Sequence, residues 1–274
     1  MKVAKKLSLV FTALILLFAI DACRKTDRDT DSTTYASLDN GFAESIFNGV
    51  LKQLHAATIN DTMLYQTGFS TAYDGCVDSS NLVTNAGTFP MTLTTYYSGG
   101  SCDDGKTKDG RIIAVFSGKY QDSLSTINVS WYKLKVNDFT LGGTATITNK
   151  GRNTNGNLLY SINIQNGSIV NDTTKIEWAC NRSWEWTSGE SSASPSDDEF
   201  LVSGTANGRT TKGNPFSATI TTALKVAFDC NWAVSGMMDV APNNLSTRKL
   251  DYGSACDNSA SVTINNSVYT IQLP

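Results

Sequence analysis

Histidine is almost missing from this chain: His55 is the only one in 274 residues. No Cys-x-x-Cys pair exists either, so the usual zinc ligand sets are not assembled. His55 has no signature partner, and no Gly-x-Ser-x-Gly elbow supplies a nucleophile. His55 is therefore expected to be structural, and no catalytic residue, metal site or cofactor is expected. A basic surplus is lacking as well. Removing Lys2, Lys5, Lys6 and Asp21 with the first 22 residues leaves 19 basic against 24 acidic side chains, net −5. That balance speaks against a nucleic-acid partner, which needs a clustered basic face. The apolar run Leu7–Ile20 falls short of the ~20 residues that span a bilayer.

That run is instead the core of a signal peptide. Lys2, Lys5 and Lys6 form its basic head, and Asp21-Ala22-Cys23 ends it before an abruptly polar segment. Ile20-Asp21-Ala22-Cys23 resembles a bacterial lipobox, in which the cysteine becomes the lipidated first residue of the mature protein. Asp21 and Ile20 depart from the usual small residue and leucine of that motif. The alternatives are an ordinary secretory peptide cut after Ala22 and a retained anchor helix. Each buried methylene contributes roughly 0.8 kcal/mol, and stable anchoring needs more than one acyl chain, as lipoprotein modification (palmitate or a similar chain beside a diacylglyceryl group) supplies. Residues 23–36 read as a tether, because Arg24 to Thr34 contains no apolar side chain. Asp27, Asp29 and Asp31 alternate as in a calcium loop, but the glycine and distal glutamate are absent.

Thr, Ser, Asn and Gly dominate the remainder, with only 5 Pro. This is the composition of many strands joined by polar turns. Five cysteines follow Cys23. Cys76 to Cys102 and Cys230 to Cys256 are both 26 residues apart. In that register Gly99 meets Gly253 and Asp103 meets Asp257, which points to an internal pseudo-duplication. The expected disulfides are Cys76–Cys102 and Cys230–Cys256; a pairing in which Cys180 takes one of these partners stays open.

Residues 40–57 carry a helical stripe: Phe42, Ile46, Phe47, Val50, Leu51 and Leu54. Asp39 or Asn40 is expected to cap it, and Gly49 weakens its middle. The helix is expected to pack on a sheet, with partner binding as the alternative. Downstream the signals are strands. Arg111–Tyr120 is apolar and β-prone. Leu158, Tyr160, Ile162 and Ile164 share a parity, as do Phe216, Ala218, Ile220, Leu224 and Val226, and Trp232, Val234, Met238 and Val240. In 175–187, Ile176, Trp178, Cys180, Trp184 and Trp186 point one way, with Arg182 the exception that snorkels or meets a carboxylate. Gly151–Asn157 and Asn265-Asn266 read as turns and Ser188–Asp198 as a loop. The expected fold class is mainly β: an antiparallel meander forming a sandwich or partly open barrel, with one N-terminal amphipathic helix, in a single domain over 37–274.

Gly100-Ser-Cys-Asp-Asp-Gly105-Lys106-Thr107 matches the phosphate-loop pattern letter for letter. Asp103 and Asp104 would repel phosphate, and a strand rather than a helix follows, so no nucleotide is expected. Glu177/Glu185 and Asp197/Asp198 are carboxylate pairs that nothing in their spacing selects for glycoside chemistry. Trp178, Trp184 and Trp186 are either core or an aromatic binding face for sugars or proteins; their shared parity with Ile176 favours core.

The mature chain resembles a family of uncharacterised β-rich surface lipoproteins of Bacteroidetes type. The resemblance rests on the Asp- and Lys-containing tether after Cys23, Asp39-Asn40-Gly41-Phe42-Ala43-Glu44-Ser45-Ile46-Phe47, Thr88-Phe89-Pro90-Met91-Thr92-Leu93-Thr94, Cys102-Asp103-Asp104-Gly105 leading to Gly110-Arg111-Ile112-Ile113, and Leu250–Asn258. It implies an outer-membrane, lipid-anchored location facing outward, or failing that the periplasmic side, and it carries no activity. It also implies O-glycosylation at Asp61-Thr62-Met63, Asp122-Ser123-Leu124 and Asp172-Thr173-Thr174. The expected role is a non-catalytic binding or accessory module on the cell surface, its partners the membrane through Cys23 and a glycan or outer-membrane protein. The alternatives are a structural subunit of an outer-membrane assembly and, third, a secreted hydrolase.

Overall fold

The computed structural model describes residues 31–65, 75–192 and 194–274; the expected signal segment 1–22, Cys23 and most of the expected 23–36 tether lie outside the described residues. Among the described residues one α-helix, α1 (Tyr35–Ile59), precedes the strands β1 (Val77–Asn85), β2 (Thr88–Ser101), β3 (Thr107–Phe116), β4 (Thr126–Val136), β5 (Phe139–Arg152), β6 (Leu158–Val170), β7 (Lys175–Ser188), β8 (Glu199–Arg209), β9 (Pro215–Ala227), β10 (Ser235–Pro242), β11 (Arg248–Asp251), β12 (Ser259–Ile264) and β13 (Ser267–Gln272). All 13 strands form one antiparallel meander in sequence order. β1 and β13 are not paired with each other among the described residues, so the sheet curls without closing into a barrel.

Local chemistry explains the meander. Short polar turns deliver each strand beside the last. At the β12–β13 turn Asn265 and Asn266 both have positive φ, 48° and 69°, as the two-residue turn that matches strand twist requires. Alternation then selects an inner face. Ile176, Trp178, Cys180, Arg182, Trp184 and Trp186 of β7 are all buried, while their outward neighbours are half-buried or exposed.

The helix differs from its expectation. It begins at Tyr35, with Thr34 before it and no side-chain cap. Asp39 and Asn40 sit inside it with other tasks: Asp39 accepts the Thr211 N–H at 2.7 Å, and Asn40 accepts from the Trp178 indole at 3.0 Å. Nor is α1 a helix with one face on a sheet, because 21 of its 25 residues are buried. It meets β2, β7 and β10, strands from well-separated parts of the meander, so the sheet wraps round it. The polar face that sequence periodicity assigns to solvent is covered by the far side of the curl. Glu44 there pairs with Arg182, with side chains 4% and 2% exposed. The carboxylate partner expected for Arg182 therefore comes from the helix. From Asn40 to His55 the helix advances about 22 Å, and from Trp178 to Trp186 the strand advances about 26 Å. With Asn40 against Trp178 and both His55 and Trp186 bonded to Asp198, α1 and β7 run side by side in one direction.

Two strand boundaries also moved. β3 stops at Phe116, and Tyr120 turns inward to meet His55. Trp232 and Val234 belong to the β9–β10 loop rather than to β10.

Both expected disulfides are present, and Cys180 is a free buried thiol. Cys76 precedes β1 and Cys102 follows β2; Cys230 precedes β10 and Cys256 follows β11. Each bond therefore clamps the open end of a hairpin. Gly99 and Gly253, matched in the sequence register, both take positive φ, 85° and 73°. The likeness holds at the clamps but not along the strands, since β2 has 14 residues and β11 has 4.

Candidate functional site: a cleft between two clamped walls

The space inside the curl is occupied by α1. The chemistry gathers in a cleft of about 380 Å3 between α1, the β2–β3 turn, residues 194–196 and the β9–β10 loop. Its floor is the helix face carrying Ser45, Gly49, Lys52 and Ala56. Gly49 leaves this floor open, because a Cβ built there meets nothing within 4 Å.

Each wall is next to a disulfide. Asp103 and Asp104 follow Cys102, and Asp229 and Asn231 flank Cys230. The walls are tied to each other and to the floor. The Asn231 side-chain amide donates to the Asp104 backbone oxygen at 2.9 Å, and Ser45 Oγ donates to the Asn231 backbone oxygen at 3.0 Å. Lys52 sits beneath the β9–β10 loop and donates all three of its protons there: to the carbonyls of Ala227, the last residue of β9, and Phe228 at 3.2 Å and of Cys230 at 2.5 Å. Burial, with Lys106 nearby, pushes the Lys52 ammonium down from 10.5 to about 8, while Asp104 and Asp229 oppose the shift. The three carbonyls also hold the proton in place.

The roof is Ser194-Pro195-Ser196, where Ser194 caps a short 3-10 turn, Pro195–Asp197. Its far end is anchored at Asp198. That carboxylate, 1% exposed, accepts from His55 Nε2 at 2.8 Å and from the Trp186 indole at 3.0 Å. His55 Nδ1 lies 3.0 Å from the Tyr120 hydroxyl.

Two charges in the cleft remain uncommitted. Asp104 holds Lys108 at 2.9 Å and the Lys106 N–H at 3.0 Å. The Lys106 ammonium and the Asp229 carboxylate, by contrast, make no hydrogen bond or ion pair among the described residues. Lys106 is half-buried, and desolvation lowers its pKa, with Asp104 opposing and Lys108 adding to the shift.

The sequence candidates fall as follows. Cys23 lies outside the described residues. The aromatic binding face is overturned: Trp178, Trp184 and Trp186 are 2%, 3% and 2% exposed and pack inside the curl against α1, Phe200 and Tyr65. Their inward parity placed them in the core. His55 is buried beside a space of about 10 Å3. The carboxylate pairs do not converge. Glu177 meets Lys175 and Arg209 on the outer face, Glu185 holds the Asn153 and Asn157 side chains, and Asp197 and Asp198 part to Ser192 and His55. The phosphate-loop match is a tight turn from β2 into strand β3. Its N–H groups are taken by Lys106 O, Cys102 O and the Asp104 carboxylate. Thr62, Ser123 and Thr173 all lie in exposed turns. A wider recess, about 690 Å3, lies outside β6–β9, but its charged rim of Lys175, Glu177 and Arg209 is already self-paired. Sequence singles out neither Lys52 nor Asp229, and picks Lys106 only as the lysine of the phosphate-loop match; the one available signal for Asp229 is its place beside Cys230.

The chain matches no protein-family model, no curated protein and no solved structure.

Proposed function

We propose that this chain is an envelope lipoprotein, tethered through acylated Cys23 at the outer membrane with its body facing outward, and that it works as a non-catalytic binding module. The observation that carries the binding reading is the cleft. Two disulfide-clamped walls, cross-tied by Asn231 and Ser45, hold Lys106 and Asp229 uncommitted over a glycine floor. A site whose walls are held before the ligand arrives loses little ordering entropy on binding.

Two further observations support the non-catalytic reading. The acid–base cluster of Tyr120, His55 and Asp198 is sealed, with His55 3% exposed, so a substrate does not reach it. Lys52 has its protons on three backbone carbonyls and serves the loop. The pair of disulfides fits an oxidising compartment outside the cytoplasm.

The tether is tested by intact mass of the protein purified from its own cells: an acylated Cys23 is expected, and an unmodified amino terminus overturns it. The binding reading is tested by incubating the folded chain with a small-molecule extract, washing, and identifying what denaturation releases. Recovery from the parent chain and not from Gly49→Leu, whose side chain fills the cleft, is expected. Equal recovery from both, or none from either, overturns it.

A further inference from the structure

We infer that the cleft takes a small zwitterion with a free carboxylate and a free ammonium, an amino acid or dipeptide, with its carboxylate on Lys106 and its ammonium on Asp229. This inference rests on the reading of the cleft as the binding site.

The argument is one of elimination among ligand charges. Of the charged groups at the cleft, Lys52 is consumed by carbonyls, Asp104 is consumed by Lys108 and a backbone N–H, and Asp103 is engaged with a partner of its own. That leaves Lys106 on the wall after Cys102 and Asp229 on the wall before Cys230. The two do not pair with each other among the described residues. An anion alone would cover Lys106 and strand Asp229 beneath a ligand; a cation alone would do the reverse. A neutral sugar would desolvate both without pairing either. Uncompensated charge is the costly outcome in each case. A ligand bearing both charges satisfies both walls, and its zero net charge is not repelled by a mildly acidic protein.

The half-buried setting of Lys106 makes an incoming carboxylate more favourable than it would be at a fully wet surface. Phe228 and Pro195 supply the apolar surface that one aliphatic side chain would cover, and Gly49 supplies the depth. The volume lies near the low end of ligand pockets, as a single amino acid or dipeptide requires.

The experiment is calorimetry of the folded, disulfide-intact chain with alanyl-leucine, a mixture of free amino acids, N-acetyl-alanyl-leucine, alanyl-leucine amide and methyl glucoside. The free dipeptide or an amino acid is expected to bind, and blocking either terminus of the dipeptide to weaken it by about tenfold or more. Lys106→Gln should erase the preference for the free carboxylate over the amide while keeping the preference for the free amine. Asp229→Asn should do the converse. A merely structural role for either residue would weaken all probes alike and overturns the assignment. No binding by any free zwitterion overturns the inference. If the glucoside binds instead and Gly49→Leu abolishes it, the zwitterion is wrong and the cleft stands. If Gly49→Leu leaves zwitterion binding intact, the cleft itself is wrong. Because the added side chain points into open space, that variant is expected to keep the parent fold, checked by circular dichroism.

Discussion

The Asn231 side chain donates to the backbone oxygen of Asp104 across 127 residues of sequence, at 2.9 Å. One bond thereby joins the wall held by the Cys76–Cys102 disulfide to the wall held by Cys230–Cys256.

Replacing Asn231 by Ala removes that tie while leaving both disulfides. The expected loss is roughly 1 kcal/mol of stability, the net value of one such hydrogen bond. The cleft should loosen more than the core. Urea unfolding gives the first quantity, and amide hydrogen exchange at 102–106 and 228–232 gives the second. Unchanged exchange there would show that the walls do not depend on each other.

The buried Glu44–Arg182 pair makes a sharper prediction. Glu44→Gln leaves a guanidinium inside the curl without its counter-charge, and about 3–5 kcal/mol should be lost. Adding Arg182→Met should restore much of it, because the desolvation penalty then disappears with the charge. A double variant as unstable as the single one would mean that packing rather than charge dominates at this point. The readout is the urea midpoint of the three proteins.

Lys52 links stability to pH. Its folded pKa of about 8 lies below the unfolded 10.5, so between these values the unfolded chain holds a proton that the folded chain has released. Stability from this group therefore rises with pH across that window, and the increment is absent below it. Tyr65, Tyr120, Tyr160 and Tyr252 are raised by burial and work in the opposite sense above about pH 10, where the unfolded chain ionises first. The difference in unfolding free energy between the parent and Lys52→Met, followed from pH 8 to 10, should grow in the parent's favour. A flat difference would show that the three carbonyls keep the proton on Lys52 throughout.

The cysteines give a counting prediction. Burial pushes the Cys180 thiol up to about 12, with Glu44 adding to the shift. A chain begun after Cys23 should therefore take no iodoacetamide at pH 8 when folded, one when unfolded without reductant, and four more after reduction. Each disulfide should contribute roughly 3–4 kcal/mol in the loop-entropy model, read from the Cys-to-Ser pairs. Labelling of Cys102 or Cys230 before reduction would contradict the pairing.

Local pattern carried the strands, the hairpin at Asn265-Asn266 and the inward face of β7, because turn chemistry and two-residue alternation act between neighbours in the chain. It also carried both disulfides, since their spacing reports the hairpins they clamp. It failed at α1. The apolar stripe was read correctly, but the fate of Asn40, Glu44, Lys52 and His55 depended on what lies on the opposite side of the curl. Trp178, Trp184 and Trp186 show the same limit from the other direction: parity put them on one face, and only the wrapped sheet made that face the interior.

By itself the sequence determined the kind of element each segment forms and which side chains share a face, for these follow from backbone geometry over a few residues. Tertiary structure alone decided that the sheet would curl around its own helix and so bury the histidine. It alone also brought Lys106 and Asp229 to one opening, because that meeting requires the ends of β2 and β9, more than a hundred residues apart, to be folded together before either charge has a neighbour to face.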